Sequence, residues 1–503
     1  MATKDCLLAI DQGTTSTRTM AFDLNGAEIA RSQVEFAQHY PRSGWVEHDA
    51  EEIWDTVVRT CREVVDRVVA DGWQPLALGI TNQRETTVLW DRATGKPVAR
   101  AIVWQDRRTA DTCRRLKAAG HEPAVTAKTG LLLDPYFSAT KIGWLLDQDA
   151  DLKARAERGE IAFGTIESYL VARLTGGAHV TDVTNASRTL VFDINAMAWD
   201  DGLLDLFGVP KAMMPEPAAN AGDFGVTDAD LFGRPIKVAG MAGDQQAAAI
   251  GQACLTPGAV KSTYGTGCFL LQNTGATPVY SSNRLLTTVA YRVGDDTAYA
   301  LEGSIFVAGA AIQWLRDGLG LIERSADCEA LAAGIEDNRG VYMVPAFTGL
   351  GAPHWDADAR GVIVGLTRAT GRAELARAAL ESVAYQTAEL VAAVAADAGQ
   401  PPSVVRVDGG MAENDWFVQF LADVLDTPVE RPVVTETTAL GAAFLAGLGA
   451  GCYHRLDAVG AAWQRERRFE SGMDADLRAR NLVGWRDAVS RCLSGEKVTP
   501  STS

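Results

Sequence analysis

A short apolar run near the N-terminus ends in an acidic residue and a turn rich in hydroxyl side chains. Residues 6–10 (CLLAI) have the composition of a buried strand, and Asp11 follows them directly. Residues 12–18 (QGTTSTR) form the turn and lead into a second strand-like run, residues 19–22. Glycine lets backbone amides approach an anion, hydroxyl groups donate hydrogen bonds, and a carboxylate at a strand end can hold Mg²⁺ through water. The segment could therefore bind nucleotide phosphates, the alternative being an ordinary polar β-turn.

This turn differs from the common glycine-rich phosphate motifs and recurs in the second half of the chain. A Walker loop ends in Gly-Lys-Ser/Thr and a Rossmann turn reads Gly-x-Gly-x-x-Gly, and neither pattern is present in the segment. The chain instead turns straight back as a strand, with a hairpin predicted at Asn25-Gly26. At residues 259–271 a strand again enters a glycine and hydroxyl turn and returns as a strand. Such a duplicated loop, facing its copy across a cleft, resembles the actin, Hsp70 and hexokinase-like ATPases.

Other predicted strands end in side chains that could act on a small polar substrate. Asp244 stands between a predicted strand and an alanine-rich helical pattern, where it is either a helix N-cap or a functional carboxylate. Arg84 and Glu85 also follow a predicted strand, and they form either a solvated loop pair or a charged grip on hydroxyl groups. Trp104 and Tyr136 are either core aromatics or the walls of such a site.

Length and composition indicate two globular domains. The 503 residues exceed the roughly 250 to 300 at which single cores stop growing. The net charge of −17 argues against nucleic acid as a bulk partner, because the basic footprint that phosphate backbones require is missing. No stretch approaches the ~20 uninterrupted apolar residues of a membrane span, and the N-terminus lacks the order of a signal peptide, so a cytoplasmic location is expected. The 8 cysteines are scattered, which favours reduced thiols over a disulfide framework or a zinc site.

The elements that must position these residues alternate between strands and helices, which predicts an α/β fold. Apolar spacing predicts helices over residues 51–70, 139–147, 304–317 and 372–395, and strands over 75–80, 86–90, 236–241 and 404–407. We expect one domain over residues 1–254 and a second over 255–503, because a predicted helix ends before Thr256-Pro257-Gly258 and the second turn follows. The polar tail from about residue 497 is expected to be disordered.

Together, these segments closely resemble the FGGY carbohydrate kinase family, and within it the members that act on glycerol. The resemblance runs from about residue 5 to about residue 455. The matching segments are residues 11–18 (DQGTTSTR), 81–87 (TNQRETT), 103–109 (VWQDRRT), 135–144 (PYFSATKIGW), 242–249 (AGDQQAAA), 262–269 (STYGTGCF), 308–315 (AGAAIQWL) and 406–441, which contains VDGGMAEND and TTALG. It implies two actin/Hsp70/hexokinase-like, ribonuclease H-like domains flanking a central cleft, and ATP-dependent phosphorylation of glycerol to sn-glycerol 3-phosphate.

The resemblance also implies a role for each matching residue. Asp244 would be the general base that takes the proton from the attacking hydroxyl. The glycerol hydroxyls would be bound by Arg84, Glu85, Tyr136, Asp244 and Gln245, with Trp104 and Phe269 covering the carbon backbone. The β- and γ-phosphates would contact Thr14, Thr15, Ser16, Arg18 and Thr266, and the nucleotide would be framed by Gly309, Gln313, Gly410 and Asn414. Asp11 would hold the hydration shell of Mg²⁺, so the implied cofactors are ATP/ADP and Mg²⁺.

Two other functions fit parts of the same pattern. The ATP-binding half is shared across the family, so a kinase for another polyol or a ketose is the nearest alternative, although Arg84-Glu85, Trp104 and Gln245 are of the glycerol type. A non-catalytic ATP clamp of the chaperone or filament type is the second alternative, and the retained Asp244 speaks against it. A homo-oligomer, either a dimer or a tetramer, is expected, with no nucleic acid and no membrane span among its interactions.

Regulation by two effectors of bacterial family members is expected to be absent or weak. In some members a glycine-rich loop with an Arg binds fructose 1,6-bisphosphate shortly before the segment matching residues 242–249. Here residues 228–234 (DADLFGR) supply one Gly, one Arg and two acids that repel phosphate. Other members carry an activating phosphohistidine in this domain, but this chain has no histidine between His179 and His354.

Overall fold

The computed structural model describes residues 4–356, 358–399 and 401–495. The predicted disordered tail lies outside the described residues. Two mixed sheets form the centres of two units, and each sheet carries one of the strand–turn–strand segments.

The first sheet contains five strands in the order β5-β4-β1-β2-β3. Its strands are β1 Lys4–Gln12, β2 Ser16–Asp23, β3 Glu28–Glu35, β4 Trp73–Asn82 and β5 Lys237–Gly243. Residues 6–10 of β1 have no exposed surface, as expected for an apolar central strand. The β1–β2 pair is antiparallel and places Asp11 opposite Arg18, whereas β4 runs parallel to β1 and places Thr81 beside Asp11. The first phosphate turn and the end of β4 therefore lie at the same edge of the sheet.

The second sheet repeats this order and adds a strand at each edge. Its seven strands follow the order β8-β9-β7-β6-β10-β11-β12. They are β6 Val260–Tyr264, β7 Cys268–Gly275, β8 Leu286–Val293, β9 Asp296–Ile305, β10 Val405–Asp408, β11 Val429–Pro432 and β12 Arg465–Phe469. In both sheets the central strand (β1 or β6) pairs antiparallel with the strand that follows its turn (β2 or β7), which pairs antiparallel with a third strand (β3 or β9). On the other side of the central strand lie two parallel strands, β4 and β5 in the first sheet and β10 and β11 in the second. This duplicated topology confirms the expected pair of actin-like units.

Helices cover the sheets, and most of the predicted ones are confirmed. They are α1 Ala50–Ala70, α2 Ala110–Ala118, α3 Glu122–Thr129, α4 Ser138–Gln148, α5 Ala150–Glu157, α6 Ile166–Thr175, α7 Val183–Ala186, α8 Asp201–Phe207, α9 Ala229–Phe232, α10 Asp244–Gly251, α11 Gly309–Gln313, α12 Asp327–Ala333, α13 Arg372–Ala398, α14 Asp415–Leu425, α15 Thr437–Gly449, α16 Leu456–Ala461 and α17 Ala475–Cys492. Helix α1 begins at Asp49, whose carboxylate accepts the Glu51 amide at 3.0 Å, and its apolar stripe is buried against the first sheet. No helix in the described ranges is long and apolar enough to cross a bilayer.

Shorter strands pair outside the two sheets. The pairs are Glu47–His48 with Ala101–Ile102, Val88–Asp91 with Ile161–Gly164, Glu216–Ala218 with Val180–Asp182, Phe192–Asp193 with Ala198–Trp199, and Tyr342–Val344 with Val362–Val364. The strand predicted at 86–90 is thus confirmed as one partner of a two-stranded pair rather than as part of a main sheet.

The helix predicted over residues 304–317 is wrong in its first part. Strand β9 continues through Ile305, because Ser304 pairs with Phe269 and Ile305 pairs with Cys268 on β7. Only Gly309–Gln313 is α-helical, and Trp314–Gly318 continues as a π-helical turn. Cross-strand hydrogen bonding overrode the helical spacing of the apolar residues, which a single sequence cannot reveal.

A pair of helices, one from each half of the repeat, joins the two units. Helix α10 follows the last strand of the first repeat and α15 follows the last strand of the second, and the two pack against each other. A Cβ added to Gly441 would lie 1.9 Å from the Ala247 carbonyl oxygen, and one added to Gly251 would lie 2.0 Å from that of Thr437. Helix α15 also packs on β1, β4 and β5. The carboxyl ends of both sheets are thereby brought to one cleft.

Candidate active site

The first phosphate turn is braced from below by glutamine side chains. The Gly13 amide donates to the Ser16 carbonyl at 3.0 Å, which closes the turn between β1 and β2. The Gly13 carbonyl accepts hydrogen bonds from Gln12 Nε2 at 2.8 Å and from Gln83 Nε2 at 3.1 Å. Thr15 is exposed at the tip of the turn. The Thr14 hydroxyl accepts from Trp104 Nε1 at 3.0 Å and the Ser16 hydroxyl accepts from Gln33 Nε2 at 2.9 Å, so each keeps its own O–H to donate.

An arginine and two carboxylates lie beside this turn. Arg18 forms an ion pair with Glu436, at the start of α15, and its Nε donates to Gln33 Oε1 at 3.1 Å. Burial raises the pKa of Asp11 to about 7; Arg18 opposes this shift, while the nearby carboxylates of Glu436 and Asp244 add to it. Burial therefore outweighs the one nearby cation, Arg18, at Asp11.

This carboxylate suits a hard divalent cation. Mg²⁺ prefers oxygen ligands and is commonly held by one or two carboxylates together with substrate phosphates. Asp11 offers such an oxygen at the edge of the phosphate turn, and a bound cation would stabilise its ionised form against the cost of burial. Among the described residues, no group of three or more His, Cys, Asp or Glu side chains is placed to hold a metal ion alone. The donor set therefore fits Mg²⁺ that arrives with a nucleotide.

A buried network of charges lies at the end of β4. Arg84 is 2% exposed and its Nε lies 3.2 Å from Asp244 Oδ1, on the first residue of α10. Its Nη2 donates to Glu302 Oε1, on β9, at 3.2 Å. Its Nη2 also lies 3.4 Å from the Tyr136 hydroxyl. Arg84 thus joins the predicted base to a carboxylate from the second unit.

Glu85 completes this network in an unusual backbone conformation. Its φ is +61°, a left-handed value that is costly for a residue with a side chain. Its carboxylate accepts from Arg188 Nε at 2.6 Å, and Arg188 Nη2 donates to Glu302 Oε1 at 2.8 Å. Burial alone would raise the pKa of Glu302, but Arg188 and Arg84 outweigh it and lower that pKa to about 2. Two arginines and two glutamates therefore pair with one another inside the protein, although Arg188 Nη1 has no hydrogen-bond partner among the described residues.

Gln245 and Asp244 point to different partners. The side-chain oxygen of Gln245, Oε1, accepts a hydrogen bond from the buried Lys261 Nζ, and Lys261 Nζ also bonds Thr263 Oγ1 at 3.0 Å. Burial lowers the pKa of Lys261. The Asp244 side chain keeps 30% of its surface exposed, unlike the fully buried acids around it. Asp244 is therefore the most exposed carboxylate of this network.

Three aromatic rings form a wall next to these charges. The Trp104 ring centroid lies 5.6 Å from that of Tyr136 and 6.1 Å from that of Phe269, both in edge-to-face geometry. Trp104, Tyr136 and Thr266 line one cavity of about 470 Å³ with several other aromatic side chains. The predicted acceptor wall and the second phosphate turn therefore face the same space.

The predicted nucleotide residues line a neighbouring cavity. Its volume is about 530 Å³, and its lining includes Thr266, Gly309, Gln313, Gly410 and Asn414. A Cβ added to Gly410 would meet no atom within 4 Å, so this glycine presents bare backbone to open space. Thr266 belongs to both cavities and lies between them.

Sequence reasoning missed four residues of this site: Arg188, Lys261, Glu302 and Glu436. Glu302 is a lone acid within an apolar strand, residues 298–305, and such a residue needs a buried partner. Lys261 is likewise a lone cation in β6. These two could have been found from the sequence as buried charges, although their partners could not.

Comparisons with known proteins identify the family. Residues 6–251 match the N-terminal domain of the FGGY family of carbohydrate kinases, and residues 260–450 match its C-terminal domain. The glycerol kinase of Rhodospirillum centenum is 59% identical over 98% of this chain and 99% of its own length, and that of Brucella ovis is 59% identical over 97% and 99%.

Solved structures agree. The Plasmodium falciparum glycerol kinase with ADP has a TM-score of 0.91 and 38% identity, covering 97% of this chain and 98% of that chain. A gluconate kinase from Lactobacillus acidophilus shares the fold, with a TM-score of 0.85 at 22% identity and coverage of 97% of each chain. The chain belongs to the FGGY family of carbohydrate kinases.

Proposed function

We propose that this protein transfers the γ-phosphoryl group of ATP to glycerol and releases sn-glycerol 3-phosphate and ADP. The observation that carries the proposal is the partly exposed Asp244 carboxylate, which is held 3.2 Å from Arg84 and lies close enough to Asp11, beside the first phosphate turn, to act on its pKa. Relatives named glycerol kinase, 58–59% identical over nearly the whole chain, support the choice of acceptor.

In this proposal Asp244 accepts the proton of the attacking hydroxyl. Arg84 orients the carboxylate and, with Glu85, supplies a charged donor and an acceptor for the other hydroxyls. Tyr136 and Gln245 add polar contacts, and Trp104 and Phe269 cover the carbon backbone. A positioned base contributes about 10²- to 10⁴-fold to the rate. The rest of the acceleration must come from positioning and charge stabilisation around the phosphates.

The phosphate contacts are assigned to both turns. Thr14, Thr15, Ser16 and Arg18 would bind the β- and γ-phosphates from the first unit, and Thr266 from the second. Arg18 would exchange its ion pair with Glu436 for a phosphate oxygen. Asp11 would hold Mg²⁺, which neutralises charge on the phosphates when bound. Gly309, Gln313, Gly410 and Asn414 would frame the nucleoside in the cavity of about 530 Å³.

A coupled assay with Mg-ATP tests the acceptor. Glycerol should give turnover with a kcat/KM at least about 10³-fold above that of xylulose or gluconate, because a site built around buried charges rejects a mismatched polyol. Preference for a ketose or another polyol would contradict the proposal, and nucleotide binding without turnover of any acceptor would indicate a non-catalytic ATP clamp.

We also propose a boundary between domains 1–254 and 255–503. The ranges 6–251 and 260–450 of the two family models support it, as does the end of α10 at Gly251. Closure about residues 252–258 should compact the protein when glycerol and nucleotide bind. Small-angle scattering with saturating ligands checks this, and an unchanged radius of gyration would contradict it.

We propose a cytoplasmic homo-oligomer, either a dimer or a tetramer, which cell fractionation and sedimentation can test. We also propose insensitivity to fructose 1,6-bisphosphate, since Asp228 already caps α9 by accepting the Asp230 amide at 3.0 Å. Millimolar effector should leave the activity unchanged, and inhibition below millimolar concentration would indicate another binding surface.

A further inference from the structure

A closed ring of hydrogen bonds joins the aromatic wall of the acceptor site to the first phosphate turn. The ring begins at the Trp104 backbone amide, which donates to Thr86 Oγ1 at 3.3 Å. Thr86 Oγ1 donates in turn to Gln83 Oε1 at 2.9 Å. Gln83 Nε2 then lies 3.3 Å from Nδ1 of His48, and it shares its two hydrogens between this nitrogen, Gln12 Oε1 at 3.1 Å and the Gly13 carbonyl at 3.1 Å. Every donor in this half points from the wall toward the histidine.

The second half runs from the histidine to the turn. His48 Nε2 donates to Gln38 Oε1 at 2.7 Å, and Gln38 Nε2 donates to the Thr14 carbonyl at 2.9 Å. Trp104 Nε1 donates to Thr14 Oγ1 at 3.0 Å, which closes the ring. Trp104 of the acceptor wall and Thr14 of the phosphate turn are therefore linked twice, once directly and once through Thr86, Gln83, His48 and Gln38.

The ring admits only one protonation state of His48. Its Nε2 faces the Gln38 oxygen, which can only accept, and its Nδ1 faces the Gln83 amide nitrogen, which can only donate, so the imidazole is neutral and carries its proton on Nε2. A cationic imidazole would place an N–H against the Gln83 amide group. His48 has no exposed surface and packs edge-on against Phe36 with ring centroids 5.0 Å apart. Burial, with a smaller contribution from His39, lowers its pKa to about 3.

We propose that His48 is a positioning residue that fixes Thr14 relative to Trp104, so that the phosphoryl donor and the glycerol acceptor are aligned by one rigid network. The inference rests on the proposed function. His48 lines neither of the two cavities and acts through Gln38 and Gln83. Misalignment of reacting groups by about 1 Å can cost a hundredfold in rate, so a network of this kind should affect kcat more than the binding of either substrate.

The test compares His48→Phe and Gln38→Met in the full-length protein, with glycerol and Mg-ATP. Each variant should lower kcat by about tenfold and change each KM by less than about threefold. The double variant should be no slower than the single ones, because the two residues belong to one chain of bonds. Multiplying effects, or kcat within twofold of wild type in both single variants, would overturn the proposal. If His48→Phe does not fold, the half-buried Gln38→Met decides.

A matched control is available elsewhere in the first unit. His179 is also packed edge-on against an aromatic ring, with its centroid 5.2 Å from Trp90, and its Nε2 bonds the Phe163 carbonyl at 2.7 Å. It lies outside the ring. His179→Phe should leave kcat within twofold of wild type. A tenfold loss in this control would mean that the loss of kcat in His48→Phe comes from general destabilisation of the first unit.

A spectroscopic measurement tests the His48 network independently of whether glycerol is the acceptor. ¹⁵N NMR of the imidazole at neutral pH should detect His48 as the neutral Nε2–H tautomer, with and without Mg-ATP. The Nδ1–H tautomer or a cation would overturn the ring whatever the substrate is. Absence of glycerol turnover in the wild type, with the expected tautomer present, would instead contradict the proposed function alone.

Discussion

The ends of β4 and β10 occupy the same place in the two halves of the repeat but carry opposite chemistry. Each strand is the first parallel neighbour of its central strand. Beyond β4 the chain places Arg84 and Glu85, 2% and 1% exposed, into a network of charges. Beyond β10 it places Gly409 and Gly410, of which Gly410 is exposed and bare. The same backbone position thus serves one unit through side chains and the other through the absence of side chains.

The backbone at these two ends explains why the residues are not interchangeable. Gly409 has φ +84°, and a Cβ there would lie 2.5 Å from the Tyr264 carbonyl oxygen, so only glycine fits. Glu85 is also left-handed, yet its carbonyl accepts from Ser138 Oγ at 3.0 Å and its carboxylate from Arg188. Strain is tolerated at Glu85 because these partners hold both ends of the residue. A rigid charged site selects hydroxyl groups, whereas bare backbone admits a flat nucleoside.

The largest effect expected on this contrast comes from Asp244→Asn. The change removes the proposed base with little change in volume, so kcat should fall by about 10²- to 10⁴-fold while nucleotide affinity stays near that of the wild type. Steady-state kinetics and calorimetric titration with ADP measure the two quantities. Activity within tenfold of wild type would mean that Asp244 only starts α10.

Arg84→Ala should affect the acceptor half selectively. Loss of a charged donor from a buried polar site should raise the KM for glycerol by about ten- to hundredfold and leave the KM for ATP within about threefold. Because the change leaves Glu302 with Arg188 as its remaining arginine, thermal melting must accompany the kinetics. Arg84→Lys is the second variant, since it keeps the charge without the forked geometry. Equal changes in both KM values would make Arg84 a structural residue.

Gly410→Val is the mirror experiment in the nucleotide half. The added side chain should occupy the cavity of about 530 Å³ and raise the KM for ATP by about tenfold, with the KM for glycerol unchanged. Gly495→Val is a matched control, because a Cβ there also meets no atom within 4 Å and the residue follows α17. An unchanged KM for ATP would place the nucleoside away from Gly410.

The repeat itself was predictable, because strand–turn–strand segments are local and their residues specify them within a short window. The charged network was not. Arg84 and Glu302 are 218 residues apart, and Arg188 and Glu302 are 114 apart, so their pairing depends on how the two units meet. The sequence indicates that a lone acid in an apolar strand needs a partner, but it does not identify the partner.

The ring through His48 was beyond sequence reasoning for a different reason. Gln38 and His48 lie outside the segments that carry the family resemblance, and Gln83 lies inside one without an assigned role, so each becomes informative only when its donor and acceptor atoms are matched. By contrast, glycine turns such as that at Gly13 are informative from residue type alone. Chemistry carried by backbone shape is therefore easier to predict than chemistry carried by buried side-chain networks.

The smallest expected effect concerns the raised pKa of the Asp11 carboxyl. Its pKa in the ligand-free fold is raised to about 7 from 3.8, so the folded state holds the proton more tightly than the unfolded state. The stability that comes from this protonated form is fully present below the ordinary pKa and is lost as the pH rises through about 7. Asp11→Asn removes the titration and keeps a neutral side chain of similar size. Without ligands, the Tm of the variant should match that of the wild type near pH 3, below the ordinary pKa of 3.8, and exceed it by about 2 °C near pH 9.

Mg-ATP should reverse this order. Bound Mg²⁺ pairs with the carboxylate of wild-type Asp11, whereas the variant has no carboxylate at this position. The ligand should therefore stabilise the wild type more strongly. Thermal melting across the pH range, with and without Mg-ATP, measures both differences. A variant less stable than the wild type near pH 9 without ligand would show that the neighbouring Arg18 outweighs burial, and that Asp11 is a satisfied ion pair rather than an open position for a cation.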